Sequence, residues 1–286
     1  MSLETLVVLF DRHPLMAVIA ILFLFNLAIT GIEVALDLLT RKSRRWGDSG
    51  ANLSLFVANQ VLENTALGAL GFVALLPFYA MTPLSIPMTG WTWALALLAA
   101  DFTYYWMHRA EHMSRLLWAS HSVHHSSQDY NLTVGMRLSV VEILFEWAFL
   151  IPMILIGFNP FQAIVALILV AQYQHWIHTE WIGRLGWLDK VFNTPSVHRV
   201  HHGSNPQYLD KNFGGILMLW DRLFGTFEPE DERVVYGLTR NIHSNNPLVI
   251  LFREFANIWR DARRKTGLVA RLKVVFGGLG QGGKLP

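Results

Sequence analysis

Cysteine is absent from this chain of 286 residues. That excludes disulfides, thiolate-ligated haem, iron–sulfur clusters and cysteine-based zinc sites together. Charge is scarce as well: 15% of residues are Asp, Glu, Lys or Arg, against about 25% in average soluble domains, so a globular fold of this size would lack polar surface. The formal net charge of +2 is too small to suggest nucleic acid as a partner. No internal repeat is visible. A cleavable leader is not evident either, since Glu4 and Asp11 stand where a basic n-region would be, and the first apolar run reads as a retained anchor. What the chain does have is apolar residues, 52% of the total, and twelve histidines. Any metal must be held by imidazole or carboxylate.

A helix needs about 20 mostly apolar residues to cross a hydrocarbon core of ~30 Å. Runs of that kind predict membrane helices at about 14–39, 53–81, 91–108, 140–158 and 161–178. The chain therefore reads as one all-α, membrane-embedded domain over 1–286, an integral membrane bundle of four to five membrane helices. Only Asn159-Pro160 separates the last two runs, which makes them antiparallel neighbours, as full spans or as a re-entrant hairpin. The basic cluster Arg41, Lys42, Arg44 and Arg45 belongs on the cytoplasmic side. Counting spans from there returns His108, His175 and His178 to the same side and leaves 109–139 and 179–247 as a cytoplasmic helical cap. His13 is the one histidine not on that side. Residues 248–276, interrupted only by Gly267, mix Phe252, Trp259 and Leu272 with Arg253, Arg260 and Arg271. That suits an amphipathic helix on the inner leaflet with its basic face at anionic headgroups, or one packed on the cap with a solvated basic face.

Histidine spacing carries the chemistry. His108 and His112 form HxxxH; His121, His124 and His125 form HxxHH, and His198, His201 and His202 repeat it. Residues i and i+4 share a helical face, and the i+3 histidine of HxxHH lies beside them. With His178 the set offers nine imidazoles, far more than a four-coordinate zinc uses. Two metals with four or five nitrogens each would use them all. Imidazole suits iron, zinc, copper and nickel alike, so ligand type leaves the metal open. The bland alternative is a set of interfacial histidines with snorkelling tips. Two HxxHH motifs plus HxxxH on one side of a membrane weigh against it. His175 fits either a tenth ligand or a hydrogen-bonding role. Glu111, Asn131, Asp210 and Asn212 are candidates for fixing imidazole tautomers.

The residues around these motifs extend the pattern: Tyr104-Tyr-Trp-Met-His108, His124-His-Ser-Ser-Gln-Asp-Tyr-Asn-Leu132, Trp176-Ile-His-Thr-Glu180, Asn193-Thr-Pro-Ser196, Asp210-Lys-Asn-Phe-Gly214 and the run from Trp220 to Glu228. Over about residues 95–240 they resemble the fatty acid hydroxylase (sterol desaturase) superfamily of membrane di-iron oxygenases, and most its alkylglycerol monooxygenase-like branch. Val197 and Met113 depart from that branch, which often has histidine before His198 and glutamate after His112. The resemblance implies a di-iron centre on the nine histidines, O2, and a lipid substrate from the bilayer (fatty acyl, sterol or alkylglycerol), hydroxylated or desaturated at an aliphatic C–H. It also implies an external electron donor, with tetrahydrobiopterin one such reductant. Two other classes compete. A histidine-rich membrane metal-binding protein or transporter predicts ionisable groups near the midplane and symmetry between halves. A zinc hydrolase on the same scaffold leaves several histidines idle.

Overall fold

Burial sorts by polarity in reverse along the first helix. The computed structural model describes residues 14–278 except 41, 43 and 64; His13, Arg41, Asn64 and the tail beyond 278 lie outside the described residues. Helix α1 (Pro14–Leu39) buries Asn26, Thr30, Glu33 and Asp37, which share one face, and exposes Ile21, Leu24, Phe25, Ile32 and Leu39. A polar face turned inward and an apolar face turned outward suits lipid rather than water. Among the described residues, α1 is also the one helix long and apolar enough to cross a membrane, over Leu15–Leu39. Its polar face is bonded along its length. Asn26 Nδ2 donates to Gln172 Oε1 at 2.9 Å, and Thr30 Oγ1 lies 2.8 Å from His175 Nε2. Glu33 accepts from the Leu132 amide at 2.7 Å and from the Thr179 hydroxyl, and Asp37 pairs with Arg44 at 2.6 Å.

The later predicted spans are shorter or broken. The run over 53–81 is two helices, α2 (Trp46–Glu63) and α3 (Ala66–Met81). Helix α2 turns Asp48, Asn52 and Asn59 inward as polar anchors. That leaves the 16 residues of α3, about 24 Å at 1.5 Å per residue, to supply the apolar length. Helix α4 (Gly90–Met113) begins at a Thr89–Thr92 capping box and carries the predicted 91–108 segment on through HxxxH. Helix α5 (Arg115–His125) follows after one residue. The run over 140–158 is not one α-helix. Short 3-10 turns at Glu142–Leu144 and Glu146–Leu150 lead into α6 (Ile151–Leu155). Buried Glu142 is drawn inward to 3.8 Å from His121, and Pro152, without an N–H, starts a helix but does not continue one.

Gly157, at φ 104°, reverses the chain beneath Leu84; only a residue without Cβ takes that conformation freely. Helix α7 (Pro160–Tyr173) then covers the first part of the predicted 161–178 span. Turns after it carry His175 and His178. Helices α8 (Pro195–His201), α9 (Leu219–Leu223), α10 (Pro247–Arg263) and α11 (Leu268–Phe276) complete the chain. No strand forms among the described residues, where extended pairing is limited to isolated bridges such as Gly203–Tyr236, so the all-α expectation holds.

Two cores position the site. In one, Ala96 and Ala100 of α4 meet Ala163, Ala166 and Val170 of α7 together with Leu75, Leu150 and Ile154. Small residues let two helix backbones approach closely. In the other, Ala51, Leu55, Val123, Ile250 and Leu251 join α2, α5 and α10. Between α2 and α5 lies Arg137, 1% exposed. It donates to the Val123 carbonyl at 2.8 Å, Ser126 Oγ at 2.8 Å, Asn52 Oδ1 at 2.6 Å and Asp48 Oδ1 at 3.1 Å. Removing one partner of a buried pair strands the other charge. Arg137→Met should therefore destabilise the fold by about 3–5 kcal/mol, read as a lowered midpoint of thermal unfolding in detergent. Adding Asp48→Asn should recover part of the loss.

Candidate metal centre

Nine imidazoles come together as two adjoining clusters. The first holds His108, His112, His121, His125 and His201, and the second His124, His178, His198 and His202, all buried. Within each, the offered ligand atoms lie within 4.8 Å of one another. The clusters abut where the His125 ring stacks on His202 at a centroid distance of 4.4 Å. Each HxxHH motif serves both. The i, i+4 pairs (His121 with His125, His198 with His202) stay in one cluster, as HxxxH does, while the i+3 histidine crosses to the other.

Backbone carbonyls fix the ring tautomers. Nδ1 of His108 lies 3.0 Å from the Phe213 oxygen, that of His201 2.9 Å from Lys211, that of His178 2.8 Å from Gln174, and that of His124 3.3 Å from Arg137. A carbonyl only accepts, so each Nδ1 must carry the proton, and in a neutral ring Nε2 is left as a bare lone pair. His124 Nε2 and His178 Nε2 then face each other at 3.1 Å with no hydrogen between them. Protonating a ring would relieve this, but burial opposes the charge. It lowers His124 to about 4 and holds His121, His125, His201 and His202 well below the ordinary imidazole range. In the first cluster His112 Nε2 is buried without any hydrogen-bond partner. Converging lone pairs in a dry site call for a cation.

The spacing suits a metal ion in each cluster. Successive Nε2 atoms stand 3.0, 3.1 and 3.1 Å apart along His108–His121–His125–His201, and 3.1, 2.9 and 3.2 Å apart along His124–His178–His198–His202. Nitrogens that share one ion through bonds of about 2.1 Å stand roughly 3.0–3.4 Å apart, so the observed separations fit one ion per cluster.

The loop supplying two of the carbonyls is itself held by two buried aspartates. Asp101 on α4 accepts from the amides of Ile216 at 2.6 Å and Leu217 at 3.2 Å and from Trp220 Nε1 at 2.9 Å. Asp221 on α9 accepts from the amides of Phe213 at 2.8 Å and Gly214 at 2.7 Å. Neither stood among the sequence candidates, although Asp221 lies within the Trp220–Glu228 run and Asp101 just before Tyr104. Of those candidates, Glu111 Oε2 lies 3.2 Å from His121 Nδ1 and Asp210 Oδ1 lies 3.5 Å from His112 Nδ1. Asn212, at φ 58°, shapes the loop and donates to the Val197 and Glu228 carbonyls. Asn131 sits away from the imidazoles, capping a turn and accepting from Arg44. His175 pairs with Thr30 and belongs to neither cluster. A narrow cleft reaches His112, His125, His201 and His202 past Trp118, Leu209, Asp210 and Leu238.

Residues 93–226 match the fatty acid hydroxylase family. The chain is 46% identical to alkylglycerol monooxygenase of Homo sapiens over 192 residues, 67% of this chain and 43% of that protein. It is 32% identical to an ornithine lipid hydroxylase of Rhizobium tropici, over 52% of this chain and 46% of the relative. It is 28% identical to a Delta(7)-sterol 5(6)-desaturase of Schizosaccharomyces pombe, over 52% and 43%. The matched segments thus span less than half the length of these relatives. No solved structure matches. The family match spans both copies of HxxHH and HxxxH, and the chain belongs to the fatty acid hydroxylase family, on the branch of the alkylglycerol monooxygenases.

Proposed function

We propose that this chain is an O2-dependent oxygenase that hydroxylates or desaturates an aliphatic C–H bond of a membrane lipid. The reading rests above all on the convergence of bare imidazole lone pairs in two adjoining buried clusters. It is supported by relatives named for lipid monooxygenation, lipid hydroxylation and sterol desaturation. In this reading His108, His112, His121, His125 and His201 hold one iron ion, and His124, His178, His198 and His202 hold the other. The iron pair, when bound, supplies the redox chemistry with O2 that breaks an unactivated C–H bond. Hydroxylation places one oxygen atom of O2 in the product and the other in water, so two electrons and two protons come from an external donor.

The chain's own residues do three things. The carbonyls of Arg137, Gln174, Lys211 and Phe213 hold ring protons at Nδ1 and aim Nε2 inward. Glu111 and Asp210 stand behind His121 and His112, where a carboxylate raises imidazole basicity. Trp118 packs on His112 and His125 at centroid distances of 5.0 and 5.5 Å and forms an apolar wall of the cleft that limits water. A dry pocket of this kind protects the substrate position from side reactions. We read the chain as multi-pass, with its site at the cytoplasmic face. The basic residues after α1 and the outward apolar faces of α1, α3 and α4 support that orientation.

Two measurements test this reading. Membranes containing the protein, supplied with 18O2 and reductant, should yield a lipid that gains 18O on hydroxylation, or one that loses two hydrogens while the label goes to water on desaturation, with no turnover under nitrogen. Equal turnover without O2 would instead favour a hydrolase. Asp221→Ala frees the loop that orients His108 and His201, and should weaken metal retention about 10–100-fold in a chelator competition while circular dichroism keeps its helical signal.

A further inference from the structure

A second cavity, about 330 Å³, adjoins the metal cleft and shares Trp118, Leu238 and Thr239 with it. Its walls come from α5, the segment 238–242 and one face of α10. Arg240, Arg253 and Arg260 line it, with Glu254 and Asp261. The two acids are already engaged: buried Arg115 lies 3.1 Å from Glu254 and 2.7 Å from Asp261. Arg240, Arg253 and Arg260 form no ion pair among the described residues. Arg253 Nη1 donates to the Arg240 carbonyl at 3.2 Å, which holds the 238–242 segment against α10 as a wall. The chamber beside the cleft therefore carries net positive charge and spare guanidinium donors.

We propose that this vestibule binds the phosphate headgroup of the lipid substrate while the chain enters the cleft toward His112, His125 and His201. The proposal rests on the lipid-oxygenase reading above and narrows it to phosphate-bearing amphiphiles. Guanidinium forks match phosphate oxygens in geometry as well as charge. The source of the phosphate is argued from the rest of the C-terminal segment. Leu248, Phe252 and Trp259 of α10 are 66%, 50% and 70% exposed, and Leu268, Val269, Leu272 and Phe276 of α11 are exposed as well. An apolar face of that size beside basic residues lies at a lipid interface, so a headgroup reaches the arginines from the leaflet with its chain attached. Asn257, also on the wall, is engaged with Glu254 at 2.8 Å.

The test uses the full chain in uncharged maltoside micelles. The probes are lysophosphatidic acid, a monoacylglycerol of the same chain, and inorganic phosphate. Equilibrium binding should favour the lysophosphatidic acid over the monoacylglycerol by at least about tenfold. The preference should fall to about twofold or less in Arg240→Gln/Arg260→Gln. It should survive in Arg240→Lys/Arg260→Lys, and in Arg271→Gln on α11, which lies outside the vestibule. Inorganic phosphate should compete only at far higher concentration. Equal binding of the two amphiphiles by the wild type, or a preference untouched by the glutamine pair, would overturn the proposal. Phosphate alone binding as tightly as the amphiphile would make the vestibule a free-anion site and overturn it equally. If the glutamine pair does not fold, Arg260→Gln alone gives the same reading with a smaller fall. Binding is measured without turnover. A headgroup preference without any O2-dependent product therefore contradicts the oxygenase reading and leaves the vestibule standing, and product without the preference does the reverse.

Discussion

Bringing nine neutral imidazoles into one dry space is the constraint on which the rest of the molecule depends. Each ring loses its water, and in the pair His124 and His178 one lone pair faces another 3.1 Å away. An arrangement like that persists only if the opposite edge of each ring is fixed, since a ring free to rotate would turn its lone pair toward a donor. The protein fixes it with backbone carbonyls, and then fixes the carbonyls. The Asp101 and Asp221 carboxylates grip the loop that ends in Lys211 and Phe213. The Arg137 side chain binds Val123, Ser126, Asp48 and Asn52 while its own carbonyl takes the proton of His124. One residue thus joins the packing of α2 against α5 to the tautomer of a site histidine.

The membrane-capable helix α1 is part of the same framework. Its inward polar face meets Gln172 in α7 and His175 after it, Leu132 and Thr179 around the site, and Arg44 beyond its end. An anchor that only held the protein in lipid would need no such face. Glu33 ties the C-terminal half of α1 to Leu132 and to Thr179, the residue after His178. Gly135 allows that approach, because a Cβ there would meet His175 Nδ1 at 2.9 Å and His178 Nδ1 at 3.2 Å.

The histidines were legible in the sequence because helical spacing places i and i+4 on one face, and all nine meet as that spacing implies. Their division was not. His124 and His201 each leave their own motif partners for the other cluster, a choice set by how α5 and α8 cross rather than by spacing. The carbonyl acceptors were invisible for a simpler reason, since every residue has one. Asp101 and Asp221 carried only the signal of acids inside an apolar stretch and a motif. Asn131 looked equally suitable as a polar neighbour of a histidine motif, and spends its side chain on a turn. The long apolar runs gave the helix class correctly and the helix lengths poorly. Hydropathy does not register Pro152, Gly157 or the inward pull on Glu142, and these break the run over 140–158.

In the reading proposed above the two clusters hold a pair of iron ions, each HxxHH motif contributing to both. The most direct measurement is metal content in the full chain purified from iron-supplied cells, for the wild type and for a variant with His124 and His201 both replaced by alanine. The wild type should carry two irons per chain. The variant should retain both ions more weakly, because the two replaced residues belong to different clusters. One iron per chain in the wild type, or a variant that loses one ion and keeps the other at full affinity, would contradict that reading.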